Sequence, residues 1–352
     1  MYAIIFLLRH ILYLNIYILQ YRKKQILVRH ILLASDEVIK ITKLPNKEFR
    51  QMVPLLREEG FYEHEEPRRI SWPEYNLSQI EDAKETLEFI RESVDEAECL
   101  YLTGKVGKPL TDPKVLAKAI LVSEALGFTE RSSEGWLCIL GPFLGIHENL
   151  DDRTIGDGYD KIEVLYILKQ IFEKTKDSDG KLSGDGTGLE TSRKQNYETN
   201  KKSGDYMTSI VDSREIVQAF DIYEQECKAM HKLIEKVYGD SLRLDAGFND
   251  RKLVKKIVEL GMKPYVFPRK NNNLNGSPAW KNMYMKLFLD VMAWLTEYHI
   301  RSHNESFHSS FKARYGIITK RRITSKLSQV TARVILHNRR RLSYFEKLAN
   351  VG

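Results

Sequence analysis

Cysteine is scarce: Cys99, Cys138 and Cys227 are the only three in 352 residues. They are too far apart for zinc-finger spacing and too few and odd in number for a disulfide framework, which fits a reducing compartment. Other signatures are missing too. The stretch "GDGTG" at 184–188 lacks the spacing of a dinucleotide loop. His299 and His303 are four apart, but Ile300 stands where a metalloprotease needs Glu. Asp179, Lys181, Ser183, Gly184 and Glu190 fall at calcium-loop positions, yet a lysine at the third ligand position would repel the ion. The first twenty residues, "MYAIIFLLRHILYLNIYILQ", are apolar but interrupted by Arg9, His10 and Asn15, and no small-residue cleavage site follows. A charge at mid-span is costly in hydrocarbon, so a packed helix or an extension is expected there rather than a membrane span or signal peptide.

The most informative absence is of negative charge. No acidic residue occurs between Glu305 and Glu346, while Lys312, Arg314, Lys320, Arg321, Arg322, Lys326, Arg333, Arg339, Arg340 and Arg341 supply ten positive charges. The stretch from Glu81 to Glu98 is acidic instead. With net charge +7, 42% hydrophobic and 29% charged residues, the chain reads as an ordinary globular protein, long enough for two domains. Its basic block suits a polyanion, most simply nucleic acid; the plainer alternative is a solvated basic tail.

Helical patterning covers Asn76 to Leu102 and is broken by "GKVGKPLTDP". Asp112 then caps a helix with Pro113 in its first turn, and Gly127 stops it. Further helices are expected from "SSEGWLCIL", with Ser132 or Ser133 as cap, and over "DKIEVLYILKQIFEK". Short helices with tight connections can form a helix-turn-helix-like DNA reader, with Lys114 and Lys118 available for phosphates. After "TKDSDGKLSG" the pattern changes to a strand around "GDGTGLE" and a hairpin of "YMTSIV" and "EIVQAFDIY" about "DSR". A helix from Glu224 to Tyr238, a strand "SLRLD", a helix capped by Asn249 or Asp250 and a strand "KPYVF" follow. Long helices complete the chain. Three strands, helix, strand, helix, strand, helix is a mixed α/β sheet with helices against it.

Within "YHIRSHNESFHSSFKARYG", 298–316, continuous helix would put Tyr298, Arg301, Glu305 and Lys312 within an arc of roughly 60°. Phe307 and Phe311 would then lie opposite, as a buried pair. Asp185 lies in the first strand region and Asp245 at a strand end, where ligands of α/β sheets gather. Three carboxylates from separate elements can hold hard divalent cations and support phosphoryl transfer. An Asp–Glu pair could serve a glycosidase, but that leaves the basic block and the third acid without a role.

Tyr298, Arg301, Glu305 and Lys312 match the Tyr-x2-Arg-x3-Glu-x6-Lys signature of insertion-sequence transposases, and the chain resembles that family from about Gly107 to Arg340. "DGTG" at Asp185 and "DAGF" at Asp245 look like the family's two aspartate motifs. "GKPLTDPKVLAKAILVSEALGF" looks like its N-terminal helical segment. The resemblance implies a ribonuclease H-like core, with Asp185, Asp245 and Glu305 as catalytic metal ligands and Mg2+ or Mn2+ as cofactor. It also implies water attack at an element end, followed by attack of the freed 3′ hydroxyl on target DNA. Arg301 and Lys312 would contact phosphates, Tyr298 would position the strand, and Arg314, Lys320, Arg321 and Arg322 would add to the DNA surface. The expected organisation is a mostly helical region over 1–102 without an assigned role, a helical DNA-binding domain over 103–176 and a catalytic domain over 177–345. Expected partners are terminal inverted repeats and target DNA, at the nucleoid in the cytoplasm and without a membrane; a homodimer is an open option. The rival readings are a nuclease that cuts without joining, and a transposase-derived DNA-binding protein that no longer cleaves.

Overall fold

The computed structural model describes residues 46–56, 70–100, 111–191, 204–222 and 225–350; the apolar first twenty residues lie outside them. In order come helices α1 (Asn46–Leu55), α2 (Trp72–Glu96), α3 (Pro113–Leu126), α4 (Glu130–Leu144), α5 (Asp152–Gly158) and α6 (Ile162–Lys174). Strands β1 (Lys181–Glu190), β2 (Gly204–Val211) and β3 (Val217–Asp221) follow, then α7 (Glu226–Leu233), β4 (Ser241–Leu244), α8 (Arg251–Glu259) and β5 (Lys263–Val266). The chain ends in α9 (Pro278–Leu289), α10 (Val291–His299), α11 (Ser302–Tyr315) and α12 (Ile323–Ala349). This is the expected α/β order, a ribonuclease H-like mixed sheet preceded by helices. Among the described residues, no helix is long and apolar enough to cross a membrane.

Local chemistry sets most boundaries. The Asp112 side chain accepts the Lys114 N–H, Pro113 opens α3, and Gly127 closes it at φ +69°, where a glycine carries no Cβ penalty. Asp250 caps α8 in the same way through the Lys252 N–H. Two expectations change. The cap of α4 is Thr129, not Ser132 or Ser133, and Ser133 is buried with its hydroxyl against Ser123, 2.7 Å away. Of the helix expected from Glu224 to Tyr238, the described residues are α-helical over Glu226–Leu233 and tighten to a 3-10 turn over Ile234–Lys236.

The sheet runs β3-β2-β1-β4-β5; β1–β2 and β2–β3 are antiparallel, and β1–β4 and β4–β5 are parallel. Side chains alternate across it. On one face Leu182, Ile210, Ala219, Leu242 and Leu244 pack with α7–α10 and α1. That face is tight: a Cβ on Gly184 would lie 2.6 Å from Met230 Cε and 2.7 Å from Leu244 Cδ2, so a larger residue there would make those side chains shift. On the other face Leu189, Met207, Val211 and Val217 join Phe307 and Phe311 of α11, the middle of α12 and the N-terminal helices in one continuous core. The N-terminal helical bundle is therefore built onto the sheet through α12.

Helix α3 is the inner rod of that bundle, buried continuously from Leu116 to Glu124. Lys118 is not available to phosphates: it is 5% exposed, with Nζ 2.7 Å from the Leu144 carbonyl oxygen and 2.7 Å from Asp95 Oδ1. Lys114 Nζ donates to the Asp95 carbonyl at 2.8 Å.

Candidate active site

Strand register brings two aspartates side by side. Gly184 of β1 pairs with Leu244 of β4, and the next residue on each strand is Asp185 and Asp245. Adjacent strands run about 4.8 Å apart, so these carboxylates leave neighbouring positions on the same face. Asp185 Oδ1 accepts the Gly186 N–H at 2.9 Å. Asp245 caps the 3-10 turn Ala246–Phe248 by accepting the Gly247 N–H. Arg269 clamps that turn, with Nε 2.6 Å from the Ala246 carbonyl oxygen and Nη2 2.5 Å from that of Gly247.

The third carboxylate comes from α11, which is pinned to the same face. Asn304, fully buried, donates to the Ser183 carbonyl at 2.9 Å and the Ser209 carbonyl at 3.3 Å. The Ser209 hydroxyl in turn lies 2.8 Å from His308 Nε2. Desolvation holds the His308 ring's pKa down at about 4, helped by the positive charges of Lys312 and Arg301. With Phe307 and Phe311 buried on the opposite side, Glu305 is left exposed.

The continuous helix expected over 298–316 is broken: α10 ends at His299 and α11 begins at Ser302, with i to i+3 bonds between (Arg301 N–H to Tyr298, 3.0 Å; Asn304 N–H to Arg301, 3.0 Å). Arg301 nevertheless turns into the site. Its Nη1 lies 3.1 Å from Asp185 Oδ2 and its Nη2 hydrogen-bonds Glu305 Oε1. The guanidinium thus bridges two of the three carboxylates rather than standing beside them. Tyr298 walls the site. Its ring stacks on Trp294 with centroids 5.3 Å apart and tilts against Phe267 at 5.2 Å.

The carboxylates act on one another electrostatically. Burial pushes the Asp185 carboxyl above its usual range. The Gly186 N–H and the Arg301 charge pull it back, and the charges of Asp245 and Glu305 push it up again. Tyr298 is pushed up by burial, eased by Arg301 and raised further by Asp245 and Asp185. Like charges near one another at a part-buried site disfavour the ionised forms unless a cation offsets them. Arg301 supplies one positive charge against three carboxylates. All three offer only oxygen donors, the donor set that hard divalent cations prefer.

The remaining cations are placed elsewhere. Lys312 Nζ lies 2.7 Å from Thr187 Oγ1, two residues along β1 from Asp185. Arg314 pairs with Asp82 at 3.3 Å, Lys320 with Glu130, and Arg322 with Asp160 at 2.5 Å. Lys326 pairs with Asp205, and buried Arg333 with Glu124 at 2.6 Å. Arg339 and Arg340 face Glu85 and Asp82. Arg321 is exposed. Sequence reasoning missed Asn304, Ser209, His308 and Arg269, all of which position the site. None has a spacing signal, since each bonds a partner brought close only by the tertiary fold.

Residues 178–338 match the family model described as a transposase DDE domain. Comparison of the chain with curated proteins and with solved structures finds no match.

Proposed function

Because residues 178–338 match a transposase DDE domain, we propose an insertion-sequence transposase, one of the enzymes that act on DNA and depend in general on divalent metal. It would cut DNA at element ends and join them to target DNA. What supports this reading is the placement of Asp185 and Asp245 at neighbouring strand positions, with Arg301 linking Asp185 to Glu305.

Asp185, Asp245 and Glu305 would hold Mg2+ or Mn2+, which when bound supplies activation of the attacking oxygen and stabilisation of the leaving one. The chain's residues do the rest. Asn304 and Arg269 hold the elements that carry Glu305 and Asp245 in place. Arg301 would offer a planar fork to a phosphate next to the scissile bond. Lys312, about 7 Å along β1 from Asp185, offers a point charge to the next. Tyr298 presents an aromatic edge and hydroxyl to the strand. Arg321 extends the contact as an exposed cation, and Arg314, Lys320 and Arg322 would join it by exchanging their protein carboxylates for phosphates. End recognition would fall to the helical region, through surfaces of α4 and α5 rather than the buried α3.

The test uses terminal-repeat DNA from the element's own flanks. Asp185→Ala, Asp245→Ala and Glu305→Ala should each abolish Mg2+-dependent cleavage, while binding stays nearly intact because affinity comes from Lys and Arg on phosphates. Substantial cleavage by Asp245→Ala would sink the reading. Cutting without joining by the unaltered protein would favour the nuclease.

A further inference from the structure

Away from the three carboxylates, Cys227, His231 and Asp250 each offer a ligand atom, and these atoms lie within 4.8 Å of one another. Cys227 and His231 are four apart on α7, hence on one side of it. Asp250 arrives from the first turn of α8. His231 Nε2 is 2.8 Å from Asp250 Oδ2, while Oδ1 is held by the Lys252 N–H at 2.9 Å, so one oxygen is anchored and the other faces the ring. All three residues are half-buried. A His–Asp pair alone would account for the hydrogen bond, but not for a thiol at the same point.

We propose that Cys227, His231 and Asp250 form a binding site for a zinc-class cation, with the fourth position left to solvent. A tetrahedral ion with bonds of about 2.0–2.3 Å sets its ligand atoms roughly 3.3–3.8 Å apart, so side-chain rotation of about 1 Å closes the present triangle. Thiolate and imidazole favour zinc over Mg2+ or Mn2+, so the two sites would not compete for the same metal. On binding, the Cys227 thiol gives its proton to water and the sulfur bonds the cation; nothing is oxidised or reduced. Without a cation, burial and the nearby Asp250 charge keep that thiol protonated.

The site would tie α7, whose Met230 lies against β1 at Gly184, to the start of α8, five residues beyond Asp245. It would thus brace the turn that presents Asp245 without touching substrate. The signal in sequence is Cys-x3-His followed by a helix-capping Asp, too short to stand out before α7 and α8 are seen together.

The probe is Co2+ added to the metal-free full-length protein without DNA. One equivalent should produce a thiolate-to-cobalt charge-transfer band, bleached by Zn2+ and untouched by excess Mg2+. Asp185→Ala should keep the band, which separates this site from the carboxylate cluster. Cys227→Ser should lose it, and His231→Ala should weaken Co2+ binding by about tenfold or more. The Cys99→Ser, Cys138→Ser double variant should keep it, which decides the matter even if Cys227→Ser does not fold. Absence of the band in the unaltered protein, or its loss in the double variant, overturns the proposal.

Discussion

Two regions of this molecule gather charge in opposite ways. Along the seam between α2 and α12, unlike charges meet: Glu81 and Glu85 with Lys347, Asp82 with Arg340, and Glu85 with Arg339. Deeper in the same seam, Arg333 pairs with Glu124, which also accepts from Tyr159 and Gln329. At the middle of β1 and just past the end of β4, like charges lie side by side, and a single guanidinium offsets them. The seam answers its own charge, whereas the site carries an excess. Excess negative charge held in place by a fold destabilises the resting protein, and it marks where a cation from outside is wanted. On the proposed function, the seam would carry stability and the site would carry chemistry.

The sharpest way to break that contrast is to swap the consequences. Asp245→Asn should lower cleavage by on the order of 10³-fold or more, about 4 kcal/mol of transition-state stabilisation, yet leave urea unfolding unchanged or slightly improved. Arg333→Ala should do the reverse to stability. Leaving Glu124 buried without its partner should cost about 3 kcal/mol in denaturant melts, and residual folded protein should cleave normally per molecule. If Asp245→Asn proved the less stable of the two, the division would be wrong.

Acid sharpens the comparison from the inside. His308 behind the site has its pKa held down to about 4 by desolvation, and His337 beneath the seam is held to about 3, again chiefly by desolvation. Each takes up a proton more readily unfolded than folded. Stability is therefore unaffected above about pH 6.5 and is lost as pH falls from there toward the folded values. For His308 the loss reaches about 3 kcal/mol at pH 4. A His308→Gln protein, which keeps a polar partner for Ser209, should show a shallower fall in stability between pH 6.5 and pH 4. An unchanged slope would remove His308 from the account.

A smaller effect concerns Arg301. From the helical face alone it stands next to Glu305 and ought to leave the metal requirement untouched; in the structure its guanidinium bridges Asp185 and Glu305. On the proposed function Arg301 competes with the metal for these carboxylates, so Arg301→Ala should lower the half-saturating Mn2+ concentration by about tenfold, roughly 1.4 kcal/mol, measured by calorimetry without DNA. Its cleavage rate should still fall, because the phosphate loses its fork. The smallest change is expected for Lys312→Ala, which should weaken DNA binding alike for all sequences and reduce the salt slope by about one. An unaltered slope would mean that Lys312 stays on Thr187.

Much of the fold was legible in the chain. Asp112-Pro113 and Gly127 bracket α3, the DSR turn sets the β2–β3 hairpin, and Phe307 with Phe311 mark the buried side of α11. Caps, turns and periodicity act within a few residues, so the sequence alone determines them. Asp185, Asp245 and Glu305 could be singled out as candidates for the same reason: each falls at a recognisable place on a recognisable element. The break at Ile300, the inward turn of Arg301 and the pinning of α11 by Asn304 were not legible, because they depend on how α10 and α11 meet the sheet. The destination of the basic block was the largest thing only the tertiary structure decided. Ten cations in an acid-free run suit nucleic acid as well as they suit an acidic helix over two hundred residues earlier. Composition cannot tell these partners apart, since electrostatic attraction carries no address. Only the packing of α12 into the N-terminal bundle brings Arg340 to Asp82 and Arg333 to Glu124, leaving Arg301, Lys312 and Arg321 outside that seam.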